Sequence, residues 1–138
     1  LPGSFSGELP QGCVRPEVFL PGTLVVQGES FEKNRELPKR LAACAHLAEW
    51  PAVLLVDDSA AATENLQEFL WSFFTRFEPA ADIHAGGTEV RRFHVGLTPP
   101  VVFDCRMKPW YPHVLEVDPE TKQKVDDKIT DILPPKWR

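Results

Sequence analysis

The sequence predicts an α/β fold: a small, mainly parallel sheet flanked by helices, with elements in the order β-α-β-α-β-α. Three observations carry this expectation. Three short apolar runs, TLVVQ at 23–27, AVLLV at 52–56 and VVFD at 101–104, are too short for free-standing helices and rich enough in β-branched residues for buried strands. Segments of helical period separate and follow them. The second and third runs each end in acids, Asp57-Asp58 and Asp104, where a strand gives way to a turn. Strands alternating with helices imply right-handed crossover connections.

In chain order, residues 1–21 read as a lead-in or linker. Pro2, Gly3, Gly7, Pro10, Gly12, Pro16 and Pro21 interrupt every periodicity, and Val18-Phe19-Leu20 could serve as a short extended anchor. The first strand follows at 23–27 and stops at Gly28. The next helix is expected to start near Phe31, capped by Ser30, or at Pro38, and to run to Leu47; proline is permitted in a first turn. Its buried stripe is Leu41, Cys44, Ala45 and Ala48, and Trp50-Pro51 stops it. After the strand at 52–56, the segment from about 63 to 74 places Leu66, Phe69, Leu70, Phe73 and Phe74 at i, i+3, i+4, i+7 and i+8, one face of a helix. Phe77-Glu78-Pro79 reads as a turn, 81–84 as a short extended piece, 85–88 as a flexible loop and 89–97 as irregular or a short strand. Beyond the third strand, Lys108-Pro109-Trp110-Tyr111-Pro112 forms a rigid aromatic loop. Asp118 as N-cap and Pro119 at the first helical position open a last helix, with Val125, Ile129 and Ile132 on its inner face and Pro134-Pro135 at its end.

At 138 residues the chain is long enough for a single core. A net charge of −5 argues against an electrostatic nucleic-acid binder, and Arg91-Arg92 and Lys39-Arg40 are isolated basic pairs. No apolar run approaches the roughly 18 residues of a membrane span. The 3 cysteines, Cys13, Cys44 and Cys105, fit neither a disulfide framework nor a CxxC metal site, and point to a reducing, cytoplasmic setting.

Several constellations bear on chemistry. Asp57-Asp58 lies at the carboxyl end of a strand, where open α/β sheets place ligands, and could hold Mg²⁺ in a phosphotransfer site. The plainer reading, favoured about three to one, is that one acid caps the following helix and the other solvates the turn. His46, His84, His94 and His113 lack the spacing of a ligand motif; His46 suits a helix C-terminus, and His84 and His94 could face one another across the glycine loop. Gly86-Gly87 opens no helix and is no phosphate cradle. Arg91-Arg92-Phe93-His94 combines guanidinium groups, an aromatic ring and an imidazole, a set suited to an aromatic or carboxylate ligand; a solvated loop is the bland alternative. Arg76 and Asp82 are expected to form a structural ion pair across the FEPAA turn. Arg106 beside Cys105 could lower the thiol pKa, although no histidine partner is placed for a nucleophile.

Three segments together resemble the C-terminal region of the UbiD family of aromatic acid (de)carboxylases. They are Val56-Asp57-Asp58 leading into FLWSFFTRFEPAADI at 69–83, PPVVFDCRMKPW at 99–110, and LEVDPE at 115–120. The family pattern is a strand ending in acids, a helix carrying LW and TR(F/M)(D/E)P..D, and an apolar strand ending DA(R/T)xKP. The resemblance spans roughly residues 19–133, with its motifs concentrated between 53 and 112. It implies that 22–138 is the smaller C-terminal α/β domain, which in the family mediates oligomerisation, hinges over the active site and lines part of the pocket. Such enzymes use prenylated FMN with a divalent metal and potassium, held with the catalytic residues in a larger N-terminal domain. The resemblance therefore implies no catalytic, cofactor-binding or metal-binding residue in this segment, a homo-oligomer, and an N-terminal flavin-binding domain or partner subunit beside it. Its substrate-pocket candidates are Arg92, Phe93 and His94. The sequence departs from the pattern at Ser59, where a third acid often stands, and at Trp50 to Val53, where a lysine is often found. The expected function is an oligomerisation and active-site-covering domain or subunit of a decarboxylase. The alternative is a free-standing oligomerisation or aromatic-carboxylate-binding module without catalysis.

Overall fold

A computed structural model of the chain describes residues 1–112 and 118–132. The expected apolar runs are the central strands of one five-stranded sheet, ordered β1-β2-β3-β5-β4: β1 (Cys13–Leu20), β2 (Thr23–Gly28), β3 (Ala52–Val56), β4 (Ile83–Arg91) and β5 (His94–Asp104). β2 pairs in parallel with β3, and β3 with β5, in line with the expected parallel core. The sheet as a whole is mixed, not mainly parallel. Each edge is an antiparallel hairpin, β1–β2 on one side and β4–β5 on the other.

The first hairpin lies where a lead-in was expected. Leu20 pairs with Thr23 across Pro21-Gly22, and Gly22 takes φ 83°, the left-handed value that the second central residue of a type II turn requires. Pro16 is tolerated because β1 is an edge strand. The residues before it are tied down: the Gly22 amide donates to the Pro2 carbonyl at 2.7 Å, and Phe5 packs edge-on against Trp50 at 6.1 Å.

The central strands are apolar at consecutive positions because both faces of the sheet are covered. One face gathers Leu24, Val26, Val53, Leu55 and Val102 under α1 (Leu37–Ala42) and the turn of 3₁₀ helix at Ala45–Leu47. The other gathers Val25, Leu54, Val56 and Cys105, with Phe69, Phe73, Phe77 and Phe103 packed against them. The first helix is shorter than expected. Cys44 turns extended (φ −77°, ψ 116°), which rotates the chain, so that Leu37, Leu41, Ala42 and Leu47 are buried while Ala45 and Ala48 are exposed.

The helix expected from about 63 to 74 is α3 (Leu66–Arg76), and the small residues before it form a separate short helix, α2 (Ser59–Ala62). Asp58 caps α2, accepting from the Ala61 amide at 3.1 Å; Asn65 caps α3, accepting from the Glu68 amide at 3.0 Å. α3 lays Phe69 and Phe73 on the sheet, where Phe69 stacks on Phe19 at 4.2 Å and Phe73 on Phe77 at 5.0 Å. Leu66, Leu70 and Phe74 remain exposed. In α4 (Pro119–Ile132), Asp118 is the N-cap, accepting from the Thr121 amide at 3.0 Å. Val125 and Ile129 are exposed and line no inner face. The side chain of Ile132, the Pro134-Pro135 stop and the start of the LEVDPE segment lie outside the described residues.

Candidate functional site

β2, β3 and β5 deliver their carboxyl ends to one edge of the sheet, and charge collects there. Asp104, the last residue of β5, grips Arg106 in a bidentate pair: Nε donates to Oδ1 at 2.8 Å and Nη2 to Oδ2 at 2.7 Å. Arg106 Nη1 donates onward to the backbone carbonyls of Glu29 (2.7 Å) and Asn34 (2.9 Å), binding the β2 exit loop to β5. Two residues further on, Lys108 Nζ donates to Asp82 Oδ2 at 2.7 Å, to the Arg76 carbonyl at 2.8 Å and to the Asp104 carbonyl. Both cations are fully buried, and each faces a buried aspartate. Burial of such charges is tolerable only because every one is paired and hydrogen-bonded.

Asp57 joins the same cluster. Its Oδ2 accepts from the Met107 amide at 2.7 Å and lies 3.6 Å from Arg76 Nη1. The acid pair at the end of β3 therefore has structural work: Asp58 caps α2 and Asp57 holds the loop after β5. The expected Arg76–Asp82 pair is not formed. Arg76 turns to Asp57, while Asp82 accepts from the Glu78 amide (2.8 Å) and from Lys108.

A cleft of about 270 Å³ opens over this network, lined by Ser30, Phe31, Asp57, Met107, Lys108 and Tyr111 among others. The Phe31 ring sits 5.6 Å from the Arg106 guanidinium and 5.8 Å from Lys108 Nζ, and Trp110 meets Phe31 edge-on at 5.4 Å. Glu78 accepts from Trp110 Nε1 (3.0 Å) and from the Tyr111 hydroxyl (3.3 Å). Burial, reinforced by the Glu78 carboxylate, pushes that hydroxyl up to about 12. The aromatic loop is thus a lid on paired charges. Lys108 uses all three of its N–H donors and Arg106 four of its five, so both cations are committed to the scaffold. Among the described residues no group of three histidines, cysteines or acids could hold a metal ion. Sequence reasoning placed Asp104, Arg106 and Lys108 in a motif and gave a role to Arg106 alone, beside the Cys105 thiol, where the structure instead pairs it with Asp104. The signal was an acid at the end of a buried strand followed by two bases at i+2 and i+4.

Arg92, Phe93 and His94 stand far from this cleft. They form the tip of the β4–β5 hairpin, in which Arg91 pairs with His94 across a two-residue turn. Arg92 and Phe93 both take positive φ, 48° and 68°, as a type I′ turn demands. All three side chains are exposed, and Phe93 fully so. They line none of the clefts described for this chain; the hairpin presents them outward. His84 pairs with Val102 near the base of the same hairpin, so the two histidines do not meet. Burial lowers the His84 pKa, with Asp104 opposing more weakly. His46 is exposed at the end of the 3₁₀ turn, and His113 lies outside the described residues. Cys105 is buried, and burial holds its thiol far above the usual range, with Lys108 the main opposing charge. Arg106 turns away from it to Asp104, so the thiol is not activated.

No family model matches the chain. The chain is 34% identical over 134 residues to an uncharacterized protein of Chlamydia trachomatis serovar D, covering 97% of this chain and 23% of that protein. It is 35% identical over 128 residues to a Chlamydia pneumoniae protein named as a subunit of 4-hydroxybenzoate decarboxylase, covering 93% of this chain and 21% of the relative. The chain thus spans about a fifth to a quarter of the curated relatives it matches. A solved structure of Sedimentibacter hydroxybenzoicus vanillic acid decarboxylase, in open form, aligns with a TM-score of 0.45 at 14% identity, over 88% of this chain and 29% of that one.

Proposed function

We propose that this chain is the docking and pocket-covering part of a UbiD-like aromatic acid decarboxylase, whose chemistry resides in another domain or a partner subunit. The observation that carries the reading is the 35% identity, across 93% of the chain, to about a fifth of a protein named as a decarboxylase subunit. The paired, buried state of the charges at the strand ends supports it, because they hold a scaffold and leave no group free for proton transfer. On this reading prenylated FMN, its divalent metal and potassium are bound elsewhere in the enzyme; the charge cluster at the strand ends does not fit them, and no reaction step is assigned to it. This chain's contribution is the β4–β5 hairpin, which carries Arg92, Phe93 and His94 to the mouth of a pocket on its partner. There a guanidinium can pair with a substrate carboxylate, and a phenyl ring can exclude water.

The test is decarboxylation of 4-hydroxybenzoate by the assembled enzyme carrying Arg92→Ala or Phe93→Gly. Each is expected to lower kcat/KM by about tenfold or more while leaving the fold intact. Unchanged kinetics in both variants would remove the hairpin tip from the pocket.

A further inference from the structure

The cleft at the carboxyl ends of β2, β3 and β5 holds about 270 Å³, below the roughly 300–1,000 Å³ of sites for drug-sized ligands and enough for a single ring. Its walls are apolar: Phe31, Met107, Pro109 and Tyr111 line it. Its uncommitted polar groups are acceptors. Asp57 gives Oδ2 to the Met107 amide, while its Oδ1 accepts no hydrogen bond among the described residues. Glu32 also lines the cleft, exposed and without an ion pair among those residues.

Charge decides what such a cleft holds. A cation is disfavoured, because cations already crowd the rings. Arg35, Arg106 and Lys108 lie 5.4, 5.6 and 5.8 Å from the Phe31 centroid, and Lys108 Nζ lies 5.5 Å from the Tyr111 centroid. Arg76, 3.6 Å from Asp57, already offsets that carboxylate. An anion is disfavoured too. Arg106 and Lys108 spend their donors on the scaffold, and the anion would meet the carboxylates of Asp57 and Glu32. What remains is a neutral ring carrying a hydrogen-bond donor. The lid already contains that pairing: the Tyr111 hydroxyl, itself a phenol, donates to Glu78 at 3.3 Å. We propose that the cleft binds a small neutral hydroxyarene, its ring held by the apolar walls and its hydroxyl donating to Asp57 Oδ1. A phenol titrates at about 10, so the hydroxyl keeps its proton at neutral pH, whereas a benzoic acid enters as an anion and is refused. Binding needs nothing from the decarboxylase reading. On that reading, the cleft accepts the phenol left when 4-hydroxybenzoate loses carbon dioxide and rejects the acid itself.

Titration of the full chain with phenol, benzoate and benzylammonium, followed through amide chemical shifts by NMR, tests the proposal, since the three share a ring and differ in charge. Phenol is expected to bind with a Kd on the order of 1 mM or tighter, and about tenfold or more tighter than the two ions. The shift changes are expected to centre on Phe31, Asp57 and Met107. Asp57→Asn, which keeps a carbonyl oxygen for the Met107 amide, is expected to weaken phenol by about tenfold. Anisole, the same ring without the donor, is expected to bind the wild type as weakly, which keeps the test independent of any effect of the substitution on folding. No phenol binding, an ion or anisole bound as tightly as phenol, or shifts centred elsewhere on the chain would overturn the proposal. The decarboxylase reading, tested at the hairpin tip, would stand or fall separately.

Discussion

Arg106 and Lys108 are neighbours in sequence, yet each neutralises a different aspartate and ties down a different segment. Arg106 holds Asp104 and the β2 exit loop; Lys108 holds Asp82 and the end of α3. Removing one partner of such a pair strands a buried charge. Arg106→Met is expected to cost roughly 3–5 kcal/mol, and adding Asp104→Leu to recover part of that loss, because the double variant leaves neither charge of the pair in the core. Urea denaturation of the two variants measures this, and a single variant within about 0.5 kcal/mol of wild type would contradict it. His84 sets a pH dependence. Burial depresses its pKa in the folded state, so between the free-histidine value of about 6.5 and that lower value the unfolded chain binds the extra proton. Its contribution is complete above about 6.5 and falls as pH drops through this window. His84→Gln is expected to flatten the slope in urea midpoints below that pH. At this scale the sequence revealed what is local: a cap from one acid of the Asp57-Asp58 pair, and Asp118 as a cap. The partners of Arg76, Asp82 and Arg106 were not legible, because each pairing depends on where distant strands end.

The β4–β5 hairpin is the element that sequence patterns described least well. Gly86-Gly87 resembles a loop, yet Gly86 sits in the ladder where an added Cβ would lie 2.5 Å from the Pro99 carbonyl oxygen, so a close strand approach, not flexibility, explains the glycine. The turn gives no sequence signal either. Type I′ turns favour Asn-Gly, and this one is built from Arg92-Phe93 at positive φ, with about 1 kcal/mol or more of strain for each. Arg92→Asn with Phe93→Gly is therefore expected to raise thermal stability by a few degrees while lowering kcat/KM of the assembled enzyme. Stability and activity falling together would contradict the view that the tip residues are kept for contact despite their strain. For α3 the period of apolar residues found the helix, but not which part of the stripe is covered. Phe69 and Phe73 meet the sheet, and the rest of the stripe faces outward.

Across the whole molecule, a parallel core of three strands, apolar on both faces, is extended by a hairpin at each edge. The core was readable because buried parallel strands leave unbroken apolar runs. The hairpins were not, since edge strands carry prolines, glycines and charges that imitate loops. The resulting body has a locked charge cluster at the strand ends and an exposed aromatic and basic tip. The role proposed for it in an aromatic acid decarboxylase is therefore to dock and cover, with the reaction performed by other parts of the enzyme. The most direct test is to purify the 138-residue chain from cells that make prenylated FMN, then record its absorbance spectrum and assay 4-hydroxybenzoate decarboxylation. The expected result is a folded protein with no flavin absorbance and no turnover. Bound flavin, or turnover by this chain alone, would contradict the account.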